Sequence, residues 1–242
     1  MNFSLSVIIP AYCEEESLKN ILPQIYCECK ENFENFEILV IGPKTPMDKT
    51  QDIVYALGTD RARYIARRGG DDYGFALRTG IEEAQKERIL VMDADGSHAP
   101  AYITELCKNA DYDLVIGSRY NSGGDTKNNL LLVSMSKLLN FIYKICLGLK
   151  VNDISDSLRL YRAEQLKNLR LKSLHFDIME EILIKLLLKY PSMTVKEIPI
   201  VFEKRIAGKS KRSLLVFMLA FLSTGAKLYR LKRKYRKENA NL

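Results

Sequence analysis

Arg88-Ile89-Leu90-Val91-Met92-Asp93-Ala94-Asp95-Gly96-Ser97 runs a short apolar stretch straight into two carboxylates one residue apart. The run Arg88–Met92 reads as a buried strand, because it is short, apolar and stopped by the turn-prone pair Asp95-Gly96. Similar runs lie at Ser6–Pro10, Glu37–Ile41, Arg63–Ala66 and Asp113–Gly117. Between them fall segments of helical spacing: Leu18, Ile21, Leu22, Ile25, Tyr26 and Cys29, then Thr50–Leu57 and Ala76–Gln85. Pro23 would interrupt the first of these, so that helix is placed after an Asn20 cap, with the proline in its first turn. Strands of continuous apolar character alternating with helices predict an α/β fold, a mostly parallel sheet covered on both faces.

Beyond Arg119 the pattern changes. Leu130–Leu149 reads as a long apolar helix with Lys137 and Lys144 on one side and Leu138, Leu139, Ile142 and Ile145 on the other. Ile178–Leu188 is a second apolar helix, and Thr194–Phe202 alternates like an edge strand carrying Pro199. Leu214–Leu222 is apolar throughout but far short of the ~20 residues needed to span a bilayer. The chain carries +7, and seven basic residues against one acid from Lys227 to Leu242 account for +6 of it. A nearly neutral body with a cationic end predicts a main domain over residues 1–212. Residues 213–242 then form an amphipathic helix and basic tail suited to anionic lipid. Nucleic acid is not expected as a partner, since the body offers no second basic surface. Cys13, Cys27, Cys29, Cys107 and Cys146 have neither zinc spacing nor an even count, which predicts reduced thiols and a cytoplasmic location. No charged-then-apolar leader precedes the first strand, so no signal peptide is expected.

Ligands of open parallel sheets bind at the carboxyl ends of the strands. Asp93 and Asp95 stand at such an end, where two carboxylates can share one hard divalent cation with diphosphate oxygens. Arg205-x-x-Gly208-x-Ser210-Lys211 combines a glycine hinge with a guanidinium fork and a point charge, a set suited to phosphates. Gly117-Ser118-Arg119-Tyr120 brings an arginine to the edge that carries Asp93 and Asp95. The segment Asp153-Ile154-Ser155-Asp156-Ser157-Leu158-Arg159-Leu160-Tyr161-Arg162 reads as a loop lining a pocket or, alternatively, as an internal Asp–Arg pairing.

Together, Pro10-Ala-Tyr-Cys-Glu14, the MDADGSHAP of Met92–Pro100, GSRY, the DxSxSxRLYR segment and RxxGxSK resemble family 2 glycosyltransferases of GT-A fold. The narrower likeness is to the dolichol-phosphate mannose synthase and polyprenyl-phosphate glycosyltransferase branch. The resemblance runs from about Ser6 to Lys211. It implies that Asp93 and Asp95, around Ala94, hold Mg²⁺ or Mn²⁺ and the donor phosphates. It also implies Pro10, Tyr12, Glu14 and Asp48 near a GDP- or UDP-linked sugar, with Arg205 and Lys211 over its phosphates. Arg119, Ser136, Ser157 and Arg159 would meet the acceptor, and Asp153 would line the pocket. The expected catalytic set is Asp95, Arg119, Asp153, Arg205 and Lys211. His98 matches a histidine of the family and is read as a structural loop residue.

Three positions depart from the family pattern. Gly42-Pro43-Lys44-Thr45-Pro46-Met47-Asp48 replaces the usual D-D-G-S after the second strand, Ser97 replaces a glutamine, and Leu132 stands where an acceptor-phosphate arginine is usual. The acceptor decides the mechanism. A hydroxyl needs a positioned base, whereas a phosphate monoester, with its second pKa near ~6, is already anionic at neutral pH. The expected activity is therefore inverting transfer of a hexose to a polyprenyl phosphate at the cytosolic face of a membrane. The alternatives are transfer to a saccharide, for which Asp153 and Asp156 could supply a base, and a catalytically silent membrane-associated homologue.

Overall fold

Seven strands form one sheet: β1 (Leu5–Pro10), β2 (Phe36–Gly42), β3 (Ala62–Ala66), β4 (Arg88–Val91), β5 (Leu114–Ser118), β7 (Arg159–Arg162) and β8 (Val195–Pro199). Their order across the sheet is β3-β2-β1-β4-β7-β5-β8. A two-stranded ribbon pairs β6 (Asp125–Thr126) with β9 (Val201–Phe202). The helices are α1 (Glu15–Asn32), α2 (Thr50–Ala56), α3 (Tyr73–Glu83), α4 (Tyr102–Cys107), α5 (Leu130–Leu147), α6 (Ala163–Lys167) and α7 (Ile178–Lys189). Residues 223–234 form a further helix, α8. The structure is a computed structural model, and it describes residues 1–127, 129–206 and 223–234, without the side chains of 130–132.

Alternation along each strand builds two cores. Ile8, Leu39, Ile41, Ile89 and Val91 face α3, α5, α6 and α7, while Val7, Ile9, Ile38, Val40 and Leu90 face α1, α2 and α4. The sheet is therefore covered on both faces, as its apolar strands predict. β7 is the exception to parallel order, running antiparallel to both β4 and β5. Part of the presumed pocket loop is thus a central strand. The reversal places the chain preceding Arg159 beside the carboxyl ends of β4 and β5.

α1 starts at Glu15, not after Asn20, and Pro23 lies inside it. The start is fixed by a carboxylate from elsewhere: the Glu15 backbone N–H donates to Asp48 at 3.0 Å. Pro23 is exposed, so the Lys19 carbonyl deprived of its partner faces solvent, while Leu18, Ile21, Leu22, Ile25 and Cys29 anchor the buried face. The presumed edge strand Thr194–Phe202 divides at Ile200 into β8 and β9, each pairing with a different partner. α5 ends two residues earlier than its apolar run, at Leu147, because Gly148 takes a left-handed φ of +57°. The basic C-terminal stretch begins as part of the fold. Leu228 of α8 joins the core, Thr224 donates to Asp177, and Lys232 donates to the Leu147 carbonyl at the end of α5. The apolar run Leu214–Leu222 and the end of the tail lie outside the described residues.

Candidate active site

The carboxyl ends of β1, β4 and β5 and the amino end of β7 meet at one edge of the sheet. They deliver Tyr12 and Glu14, Asp93 and Asp95, Arg119, and the segment 153–158 respectively. Asp95 is buried, and its Oδ1 accepts from the Ser97 backbone N–H at 3.0 Å and the Ser97 hydroxyl at 2.5 Å. Ser97 thus fixes the rotamer of Asp95 and leaves Oδ2 facing outward, 3.0 Å from Arg205 Nε. The chain after β9 runs alongside this loop, since Glu203 N donates to the Ser97 carbonyl and Ile206 N to the Asp95 carbonyl. Gly96 is required there: its φ is +79°, and a Cβ would lie 2.4 Å from the Ile206 side chain.

The acids at this edge are crowded. Burial, with Asp95 nearby, pushes the Asp93 carboxyl up to about 6 against the opposing pull of His98 and the Ser157 hydroxyl. Burial and the Asp95 charge push Glu14 up to about 7. Glu14, Asp93 and Asp95 thus repel one another across this edge, a repulsion that a cation at the Asp93–Asp95 pair would relieve.

Arg119 is the hub of a second cluster. Its backbone N–H and Nε donate to Asp153 Oδ2 at 3.0 and 2.7 Å, and Nη2 donates to Asp153 Oδ1 at 2.7 Å and to Ser155 at 2.9 Å. Asp156 Oδ2 is 3.2 Å from Nε, and the other oxygen of Asp156 is 3.2 Å from His98 Nε2. Asp153, Asp156 and His98 are wholly or almost wholly buried. Burial opposes the charge of His98, yet the adjoining Asp156 carboxylate outweighs it and raises the imidazole above its usual pKa. On its other side, His98 Nδ1 accepts from the Asp93 backbone N–H at 3.4 Å. The histidine read as structural thus ties the acidic loop to the arginine cluster. Glu197 on β8 anchors the segment from below, accepting from the backbone N–H groups of Asn152 and Asp153.

The fold gathers most, not all, of the expected site. Asp93, Asp95, Glu14, Arg119, Asp153, Ser157 and Arg205 converge, with Ala94 buried beneath them. Pro10 closes β1 in the sheet, and Tyr12 beyond it lies under the Arg67 guanidinium at 5.3 Å. Ser136 lies on α5 one residue before Lys137, which reaches the Tyr120 ring, and its carbonyl accepts from the Asn140 side chain at 3.0 Å. Two residues are committed elsewhere. Arg159 is fully buried and donates to the Met179 and Ile154 carbonyls, so its charge supports the floor of the site and does not meet an acceptor. Asp48 caps α1 and α2, accepting from Glu15 N, Thr50 N and the Thr50 hydroxyl. Lys211, Gly208 and Ser210 lie outside the described residues, as does the side chain of Leu132. Arg67 is an addition. It is buried at the end of β3, bonded to the Ala11 and Asp71 carbonyls. The signal was an arginine pair before Gly69-Gly70 at the ligand-bearing edge.

The sequence model for glycosyl transferase family 2 matches residues 6–170. The chain belongs to that family. It is 32% identical over 223 residues to the polyprenol monophosphomannose synthase of Mycolicibacterium smegmatis, covering 86% of this chain and 80% of that one. It is 34% identical over 215 residues to the dolichol-phosphate mannosyltransferase of Pyrococcus furiosus, covering 86% of this chain but 58% of the longer relative. Among solved structures, glucosyl-3-phosphoglycerate synthase from Mycobacterium tuberculosis superposes with a TM-score of 0.72 at 15% identity, over 94% of this chain and 80% of that one. That structure contains Mn²⁺, UDP-glucose and phosphoglyceric acid, and at this identity the likeness establishes the GT-A fold.

Proposed function

We propose that this family 2 glycosyltransferase moves a hexose, with inversion, from a nucleoside diphosphate sugar to a polyprenyl phosphate at a membrane surface. One observation carries the choice of acceptor. Asp153 and Asp156, the acids able to act as bases for a hydroxyl, are buried and already engaged, both by Arg119 and Asp156 also by His98. Glu14 titrates near neutrality, but its neighbours are Asp95, Asp93 and Arg205, on the donor side. An acceptor that is already anionic needs no base, only alignment and charge. The naming of the two curated relatives as mannose synthases acting on polyprenyl-type phosphates supports the same reading.

Asp93 and Asp95 fit a hard divalent ion. Among the described residues no group of three His, Cys, Asp or Glu side chains could hold one, so water and donor phosphate oxygens would complete the shell, as Mg²⁺ and Mn²⁺ prefer. Bound there, the metal would neutralise the departing diphosphate. Ser97 holds Asp95 in its rotamer. Arg205, half exposed on Asp95, is placed to turn onto the donor phosphates once that carboxylate is otherwise engaged. Attack from the Arg119 side, opposite the diphosphate, would invert the anomeric carbon.

Surface association is favoured by two features. Leu138, Phe141 and Ile145 form an exposed apolar stripe on α5, and α8 beside it exposes Lys227, Arg230, Arg233 and Lys234. No helix of the described residues is long and apolar enough to cross a membrane. All five cysteines are free, in keeping with the cytosolic face. The test of the donor half is calorimetry with GDP and UDP. Binding of one of them should require Mn²⁺ or Mg²⁺ and be lost in Asp95→Ala. Undiminished, EDTA-insensitive binding in that variant would rule the arrangement out.

A further inference from the structure

Arg119 is a poor source of positive charge for an acceptor. Its guanidinium faces two buried carboxylates, Asp153 at 2.7 Å and Asp156 at 3.2 Å, so the cluster is not cationic. A phosphate monoester brings about −1.5 to −2 charges at neutral pH and needs positive charge that nothing else cancels. The next residue indicates where that charge lies. The Tyr120 ring is flanked by two cations, Arg119 Cζ at 5.1 Å from its centroid and Lys137 Nζ at 5.7 Å. Lys137 belongs to α5 and Tyr120 follows β5, so this contact bridges the end of the strand to the helix.

Lys137 is exposed and makes no ion pair among the described residues. Asp125 of β6 acts on it only at longer range, and that carboxylate already pairs with Lys127 at 3.3 Å. A cation–π contact at an exposed site is weak and easily exchanged for an anion. We infer that Lys137, held over Tyr120 beside Ser136, is the residue that binds the acceptor phosphate by charge, with Arg119 supplying geometry. This rests on the lipid-phosphate acceptor proposed above. An ammonium suits the task as a mobile point charge with three donors, where a guanidinium would be fixed in its fork.

The test compares Lys137→Gln, Lys137→Arg and Lys150→Gln, an exposed α5-proximal control, using a short, water-soluble isoprenyl phosphate as acceptor. Lys137→Gln should raise the acceptor KM about 10-fold, the scale of one charge-assisted hydrogen bond. Its donor KM, kcat and melting temperature should stay within about 2-fold or a degree of the parent, a range set by the surface position. Lys137→Arg should recover most of the acceptor KM, and Lys150→Gln should leave it unchanged. The inference is overturned if Lys137→Gln leaves the acceptor KM unchanged, or if Lys150→Gln matches it. It is equally overturned if the effect appears only with acceptor in anionic vesicles, which is membrane attraction and not phosphate recognition. Absence of transfer by the parent to any isoprenyl phosphate would overturn the acceptor reading itself, and this role with it.

Discussion

Replacing Arg119 by alanine should destabilise the protein as well as silence it, and the two effects can be separated. The guanidinium is the main partner of Asp153, which is fully buried and receives both Nε and Nη2 at 2.7 Å. It also pairs with Asp156, leaving that carboxylate only His98 and the Leu158 backbone N–H when it is gone. Removing one partner of a buried ion pair typically costs 3–5 kcal/mol, because the other charge stays behind without compensation. For a domain of this size, each kcal/mol lowers Tm by about 2–4 °C, so Arg119→Ala should melt roughly 10 °C lower at pH 7. The deficit should shrink on acidification. Burial opposes the charge of Asp156, but His98 and Arg119 outweigh it and hold its carboxyl below the ordinary 3.8. Stability from that pairing is present above 3.8 and lost as pH falls below it. Adding Asp153→Asn to Arg119→Ala removes the stranded charge and should restore about half of the lost Tm, with transferase activity still down by at least ~10²-fold. Calorimetric melts of the parent and the two variants, carried from pH 8 down to about pH 2.5 so that they pass through the window below 3.8, decide the matter. An Arg119→Ala protein that melts with the parent at pH 7, or a double variant no more stable than the single, would refute the account of this cluster.

Arg205→Ala should cut turnover by ~10²-fold or more with Tm unchanged, because its side chain is 44% exposed and its contact with Asp95 is replaceable; near-parental turnover would make this a solvated surface arginine. Lys211→Ala is expected to behave alike. Glu180→Gln should flatten the dependence of stability on pH. Burial raises the Glu180 carboxyl from 4.5 to about 8, so the parent loses stability as pH climbs through that window, on the order of 5 kcal/mol in all at ~1.4 kcal/mol per pH unit. Equal pH slopes of Tm in parent and variant would contradict the burial of an acid there.

Where residues speak for themselves, the sequence was legible. Strands at Leu5–Pro10, Phe36–Gly42 and Arg88–Val91 fall within a residue or so of their apolar runs, because strands buried on both faces admit almost nothing polar. The acidic pair and the arginine after Ser118 stand at strand ends, where any parallel sheet places its ligands. β7 was hidden because a four-residue strand ending in Arg159 and Arg162 carries no apolar periodicity. Only its pairing with Val91 and Ile116 makes it a strand. The start of α1 escapes local reading for a similar reason, since the Asp48 carboxylate that caps it arrives from a distant loop. The fates of Arg159 and His98 depend on tertiary partners, the Met179 carbonyl and Asp156, that no local spacing reveals.

The account stands or falls on the transfer itself. The purified protein, incubated with Mn²⁺, a long-chain polyprenyl phosphate and a panel of GDP- and UDP-linked labelled hexoses, should move label from one donor into the organic phase. That label should sit in a glycosyl phosphate of inverted configuration, and EDTA or Asp95→Ala should abolish its formation. Label that stays aqueous with every donor, or that passes instead to a saccharide hydroxyl, would contradict it.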